Sequence, residues 1–429
     1  MLVLKTDAAN FRVKFEEILK RGKMDIENVE DIVKNIINEV RERKNKALFE
    51  HISKFDKWTP IKDDDLVISK DDMKKAYENL DEDLKCALHL AYDRIKAYHE
   101  KQLPKTWLTF EDNGTILGQK VTPVERAGVY VPGGKAFYPS SLLMNVIPAI
   151  VAGVEEIVVT TPVIENKPNQ LLLAALYICG MPKAFKVGGA SAVAAMAYGT
   201  ETIPKVDVIT GPGNIFVATA KKLVYGEVNI DMIAGPSEIG IIADESAKPN
   251  YMAIDLLSQA EHDEMASSIM ITPSEKLALK TKEKIYEFLE ELERKDIAEK
   301  SIEERGAIII CKNIDEAIEL MNEIAPEHLE VVTKNPFELL PKIKNAGAIF
   351  LGENTPEPIG DYIAGPNHTL PTGGSAKFYS PLNVEIFMKK SSIISFSKEA
   401  IEKMGKDCAL LAKTEGLTAH QKSVLERLK

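Results

Sequence analysis

Ile239-Gly-Ile-Ile-Ala243, a helical window over 249–262, Ser268-Ile-Met-Ile-Thr272, a second window over 275–294, and Ala307-Ile-Ile-Ile310 follow one another in this chain. The short runs are rich in β-branched residues, and the windows between them carry helical patterning. Such alternation predicts βαβ units and a largely parallel, doubly wound α/β architecture. The same rhythm extends outward in both directions. Upstream lie Glu156-Ile-Val-Val-Thr160, Ala184-Phe-Lys-Val187 and Val206-Asp-Val-Ile-Thr210, with a helical window over 171–179. Downstream lie His328-Leu-Glu-Val-Val-Thr333 and Ala348-Ile-Phe-Leu351. Ile157-Val-Val-Thr-Thr-Pro162 and Ile269-Met-Ile-Thr-Pro273 each open such a series, a hint of two related half-domains.

Residues 8 to 100 read as helical, as in Val29-Glu-Asp-Ile-Val-Lys-Asn-Ile-Ile-Asn-Glu-Val, where apolar positions recur at three- and four-residue steps. Around 115–124 the pattern turns β-like and ends in the turn-rich Val131-Pro-Gly-Gly-Lys135. After about 383 the alternation stops. One extended stretch, Ile386 to Phe396, precedes short helices, with little apolar surface for a core of its own. This tail is expected to dock on its own body or on a second subunit.

A chain of 429 residues predicts two to four structural units. Acidic residues outnumber basic ones, 65 to 54, and no basic stripe with interleaved aromatics occurs, which argues against nucleic acid as a partner. The longest apolar run, Val146 to Val154, contains Pro148 and is far short of a membrane span. The start, Met-Leu-Val-Leu-Lys-Thr-Asp, lacks the apolar stretch of a signal peptide. Cys86, Cys179, Cys311 and Cys408 have no paired spacing and read as buried, reduced thiols of a cytoplasmic protein.

Four of the seven histidines sit in short acidic or Pro/Gly-rich contexts: Gln259-Ala-Glu-His262, Pro326-Glu327-His328, Gly360-Asp361 through His368, and Glu415-Gly-Leu-Thr-Ala-His420. His51, His89 and His99, in charged helical sequence, read as solvated surface. Histidine is the commonest metal ligand and titrates near neutrality. Asp255, Gln259 and His262, at i, i+4 and i+7, form a polar stripe beside the apolar face of their helix. Either the stripe is solvated, or Gln259 and His262 share one ion with further donors. Asp361 and His420 are candidates for those donors. Thr418 with Gln421 has capping-box spacing, which puts His420 in the first turn of the last helix. There the helix dipole disfavours imidazolium and leaves neutral imidazole to bind metal. Two nitrogens and two oxygens suit zinc or a similar divalent ion, manganese and cobalt included. Pro326 is expected to end the helix of residues 314–324. Glu327 and His328 then leave a turn in different directions, which suits two separate proton-transfer tasks. They also precede a strand, whereas open parallel sheets usually place sites beyond strand carboxyl ends.

Three glycine-rich segments, Val131-Pro-Gly-Gly-Lys-Ala-Phe, Val187-Gly-Gly-Ala-Ser191 and Thr210-Gly-Pro-Gly-Asn214, each follow a strand-like run. They read equally as tight turns or as a phosphate cradle. None completes the dinucleotide fingerprint or a Walker loop.

Together these segments resemble the histidinol dehydrogenase family. The likeness rests on Ile230-Asp-Met-Ile-Ala-Gly-Pro-Ser237-Glu through His262, Gly211-Pro-Gly-Asn214 and Ala325-Pro-Glu-His-Leu-Glu330. It extends to Gly360-Asp-Tyr through Thr372 and to Thr418-Ala-His420, in order from about residue 30 to the end. The resemblance implies a zinc enzyme, one ion per subunit, that oxidises L-histidinol to L-histidine with two NAD. It also implies a homodimer of two incomplete Rossmann-like domains with an intertwined tail. Carried over by motif, Gln259, His262, Asp361 and His420 hold zinc, and Glu327 and His328 are the acid/base pair. The same zinc residues with Ser237, His328 and Glu415, and His368 beside them, contact substrate. Tyr130, Ser191 and Asn214 contact NAD. Ser191 departs from the family's usual glutamine: serine is shorter and has no amide. The expected division is an N-terminal helical segment (1–30), a first α/β domain (31–129 with 238–382), a NAD-binding α/β domain (130–237) and a tail (383–429). Alternatives are a dehydrogenase of another diol or amino alcohol, a zinc hydrolase, and a non-catalytic metal-binding protein.

Overall fold

The computed structural model describes residues 1–21, 27–133 and 139–429. It divides into a larger unit, Met1–Gln102 with Glu125–Phe387, and a smaller one, Leu103–Val124 with Met388–Lys429. The larger unit holds two six-stranded sheets. In spatial order the first is Leu2–Lys5, Ala307–Ile310, Ser267–Thr272, Glu238–Ala243, His328–Val332 and Ala348–Leu351, parallel throughout. The second is Val67–Ser69, Lys183–Phe185, Glu156–Thr160, Arg126–Tyr130, Val208–Thr210 and Asn229–Ile230, parallel except for its antiparallel first strand.

Helices cover both faces of each sheet, which explains the unbroken apolar runs. Ile308 and Ile310 pack among Met252 and Leu256, while Ala307 and Ile309 face Phe15 and Met321 on the opposite side. In the second sheet Val158 joins the cluster of Val33 and Met196, and Val159 that of Leu143 and Leu173. Each such isoleucine or valine contributes roughly 1.5–3 kcal/mol over an exposed one. All eight strands expected from the sequence form, five of them with ends shifted by one or two residues.

The strand pairing differs from the expected division at several points. Residues 1–30 begin with the edge strand Leu2–Lys5 before the Phe11–Lys20 helix. Residues 31–129 were expected beside 238–382, yet Val67–Ser69 and Arg126–Tyr130 belong to the second sheet. Residues 103–124 join the tail instead, where Trp107–Phe110, Ile116–Pro123 and Met388–Ser395 form an antiparallel sheet. Hydrogen-bond partners decide sheet membership, and a three- or four-residue strand carries too little period to announce its own. The tail helices, Lys398–Thr414 and Thr418–Leu425, bury Ala400 and Ala409 but leave Leu410 and Leu411 exposed. Three further expectations change. His51 and His99 are buried, and only His89 is surface. Cys86 and Cys408 are exposed, with Cys179 and Cys311 buried and all four free. Leu417, not Thr418, is the N-cap of the last helix, without a side-chain cap, although His420 does lie in its first turn. No described helix is long and apolar enough to cross a membrane.

Candidate active site

The helix Ile314–Ile324 ends where Pro326 predicts, with Ala325 in the left-handed region at φ 53°. The chain then enters the His328–Val332 strand, and the neighbouring strand's first residue, Glu238, fixes both site residues. Glu327 Oε2 accepts the Glu238 N–H at 2.9 Å, and His328 Nδ1 lies 3.1 Å from the Glu238 carbonyl oxygen. A carbonyl only accepts, so Nδ1 carries a proton and the ring turns Nε2 into the site. Glu327 Oε2 and His328 Nδ1 are 3.7 Å apart, too far for a hydrogen-bonded dyad.

Nε2 faces other acceptors. Asp361 Oδ1 is 3.4 Å away and Glu357 Oε1 4.0 Å; Glu357 opens the short Glu357–Tyr362 helix and Asp361 lies near its end. His262 stands just past the Pro249–Ala260 helix, its N–H bonded to the Gln259 carbonyl. One ligand atom from each of His262, Glu357 and Asp361 lies within 4.8 Å of the others. Gln259 is fully buried, so the stripe is not solvated, and neither atom of its amide has a partner among the described residues. Glu357 Oε1, Asp361 Oδ1 and His328 Nε2 are likewise buried and without a hydrogen-bond partner among the described residues. Buried polar groups are normally satisfied. Several bare acceptors converging on one gap call for a cation, so the donor set fits a divalent ion with mixed nitrogen and oxygen ligands.

The electrostatics follow from burial. It pushes the Glu327 carboxyl up to about 8 and that of Glu357 up to about 7, and it lowers the His262 pKa. Burial opposes charge on His328, but the Glu327, Glu357 and Asp361 carboxylates raise it well above the usual imidazole value. Asp361 is held below its ordinary value despite burial, chiefly by His328. His368 Nδ1 lies 3.1 Å from the Asp361 carbonyl oxygen and Nε2 3.3 Å from Ser141 Oγ. A cavity of about 590 Å³, lined in part by Tyr98, Gln102, His328, Phe350, Asp361 and His368, opens beside these groups. Ser237 immediately precedes the Glu238–Ala243 strand and is half-buried.

The site lies at the amino edge of its sheet. In a βαβ unit the helix runs back antiparallel to the strands, so its last turn returns to that edge. Gln259 and His262 arrive there at a helix end, and Ser237, Glu327 and His328 at strand starts. Glu357 is absent from the sequence reading. Its signal is the four-residue step to Asp361, which puts both carboxylates on one helical face.

Tyr130, Ser191 and Asn214 occupy the carboxyl edge of the second sheet. Tyr130 ends the Arg126–Tyr130 strand, and its hydroxyl accepts the Gly189 N–H at 3.3 Å. Ser191 Oγ sits 2.8 Å from His51 Nδ1, while His51 Nε2 meets Glu39 Oε2 at 2.7 Å. Asn214 caps the Ile215–Val224 helix, its Oδ1 accepting the N–H groups of Phe216 and Val217. Residues 134–137 of the first glycine-rich segment lie outside the described residues. Glu415 closes the Lys398–Thr414 helix and, with His420, is an exposed residue of the smaller unit.

A family model described as histidinol dehydrogenase matches residues 19–428. The histidinol dehydrogenase of Sulfurimonas denitrificans is 68% identical over 428 residues, covering 100% of both chains. That of Wolinella succinogenes is 64% identical over 425 residues, covering 99% of this chain and 98% of its own. A crystal structure of histidinol dehydrogenase from Elizabethkingia anophelis is similar with a TM-score of 0.94 at 34% identity, covering 100% of this chain and 98% of that one.

Proposed function

Because the chain belongs to the histidinol dehydrogenase family, we propose that the amino-edge site carries out both NAD-linked oxidations that convert L-histidinol to L-histidine. An oxidoreductase of histidine biosynthesis acting on a small molecule stands against the zinc-hydrolase and non-catalytic alternatives. One observation carries the residue assignment: a His328 anchored through Nδ1 on the Glu238 carbonyl, whose unpartnered Nε2 faces unpartnered acceptors around a single gap.

His328 takes the hydroxyl proton of the alcohol at Nε2 as a hydride leaves carbon, giving the aldehyde. Glu327 takes a proton from the water that adds to the aldehyde carbon, while His328 returns its proton to the carbonyl oxygen, giving the hydrate and freeing Nε2. His328 then takes a hydroxyl proton of the hydrate as the second hydride departs, giving the acid. Two protein groups divide the work because deprotonation and hydration approach the carbon from different sides. Tyr130, Asn214 and Ser191, whose hydroxyl is tied to His51, would hold NAD, which would supply the hydride acceptor for each oxidation.

Gln259, His262, Asp361 and His420 would hold one zinc ion per subunit, which supplies a Lewis acid for the substrate's imidazole and amine nitrogens. Ser237, Glu415 and His368 line the substrate pocket. Glu415 and His420 reach it from a partner subunit's tail in a homodimer, a reading supported by the exposed Leu410 and Leu411 of that unit. A cytoplasmic setting agrees with the free thiols. The expected stoichiometry is two NADH per histidinol consumed, measured by absorbance against amino-acid analysis. One NADH, with free aldehyde accumulating, would refute a single site for both oxidations.

A further inference from the structure

Lys221 is among the largest side chains fully buried in the protein, and its partner Asp231 is as deeply buried. Lys221 lies on the Ile215–Val224 helix, about two turns beyond its cap Asn214. Asp231 immediately follows the short strand Asn229–Ile230. Their contacts converge on one glycine. Lys221 Nζ donates to the Gly211 carbonyl oxygen at 2.9 Å, and Asp231 Oδ2 accepts the Gly211 N–H at 2.9 Å. Asp231 Oδ1 meets Lys221 Nζ and also accepts the Met232 N–H at 2.6 Å. Two opposite charges therefore hold both backbone polar groups of Gly211.

Gly211 needs that grip. Its φ of +119° is a conformation that side chains rarely adopt. A Cβ there would lie 2.0 Å from the Tyr130 carbonyl oxygen. The strand end carrying Tyr130 and the turn leading to Asn214 thus meet at this glycine. A buried ion pair is a poor source of net stability, because desolvating two charges offsets most of their attraction, and apolar replacements of similar volume are often tolerated. What this pair supplies is direction.

We infer that Lys221 and Asp231 are positioning residues for the dinucleotide. They lock Gly211 against Tyr130, and so aim the Gly211–Asn214 turn and the amino end of the following helix. Neither touches the cofactor. The inference rests on the reading that Tyr130 and Asn214 contact NAD.

The test is the paired replacement Lys221→Met/Asp231→Leu, which leaves no unpaired charge behind, with Asn214→Ala alongside. Should the pair not fold, Asp231→Asn is read in the same way. NADH and histidinol dissociation constants, the melting temperature, and KM against kcat are measured on the metal-loaded protein. The paired variant should weaken NADH binding about 10- to 100-fold, as misplacement by an ångström or so does, with histidinol affinity kept within about twofold. KM for NAD should rise more than kcat falls. Unchanged NADH affinity in the paired variant, with Asn214→Ala impaired, overturns the positioning role alone. Unchanged NADH affinity in Asn214→Ala as well overturns the cofactor-site reading and the inference with it. Parallel loss of NADH affinity, histidinol affinity and melting temperature means a general structural role, and that also overturns the inference.

Discussion

Replacing Gln259 by methionine should make the metal-free protein more stable while removing its metal. The amide is fully buried, and both Nε2 and Oε1 lack partners among the described residues. A buried polar atom left unsatisfied costs about 1–3 kcal/mol, so the two together cost roughly 2–6 kcal/mol in the absence of metal. Methionine has nearly the same length and volume, and such swaps usually cost under about 1.5 kcal/mol in packing. The metal-free variant should therefore gain roughly 0.5–4.5 kcal/mol over the metal-free parent. With metal the order reverses. An ion present at 100 times its dissociation constant stabilises the parent by about 2.7 kcal/mol, and the variant, lacking a ligand, by little. Differential scanning calorimetry with chelator and with zinc, alongside metal content by elemental analysis, reads both halves. A metal-free Gln259→Met that melts no higher than the metal-free parent would mean the amide is satisfied by other means. Metal content equal to the parent's would remove Gln259 from the ligand set.

His328→Ala should lower the rate of both half-reactions about 100- to 10,000-fold, whereas Glu327→Gln should mainly slow turnover that depends on aldehyde hydration. Stopped-flow assays with histidinol and with histidinaldehyde separate the two, and normal turnover in either variant rejects its assignment. Mixing His420→Ala with His328→Ala subunits, after dissociation and reassociation, should restore part of the activity, since one site per heterodimer then holds both residues intact. Heterodimers that form but stay inactive would place His420 in its own subunit's site. Asp56, buried with no charged partner among the described residues, has its carboxyl pushed up to about 6 from 3.8 by that burial. A raised carboxyl favours the folded state while protonated, and that advantage is lost as pH rises from about 4 through about 6. Above pH 6 the ionised group costs on the order of 3 kcal/mol, so Asp56→Asn should raise the melting temperature at pH 8 and leave it nearly unchanged at pH 4. Equal gains at both pH values would show that charge is not the cause.

The strands buried on both faces announce themselves, because Ala307-Ile-Ile-Ile310 or Glu156-Ile-Val-Val-Thr160 needs apolar neighbours on either side whatever its partners. Pro249 at a helix start and Pro326 at a helix end are equally local, since each follows from one ring and one missing N–H. Tertiary structure decides what depends on partners distant in sequence. Leu2–Lys5 is a strand only because Ala307–Ile310 offers its edge, and Val67–Ser69 only because Lys183–Phe185 does. His51 reads as surface until Ser191 and Glu39 close over it. The candidate site follows the same rule. Gln259, His262, Glu327, His328 and Asp361 stand out in the sequence as types able to bind metal or move protons, but nothing local aims them. Parallel winding returns each helix end to the amino edge of the next strand, and that brings three separate segments to one gap. There Glu238 anchors His328 through Nδ1, and Glu357, silent in the sequence, adds its carboxylate.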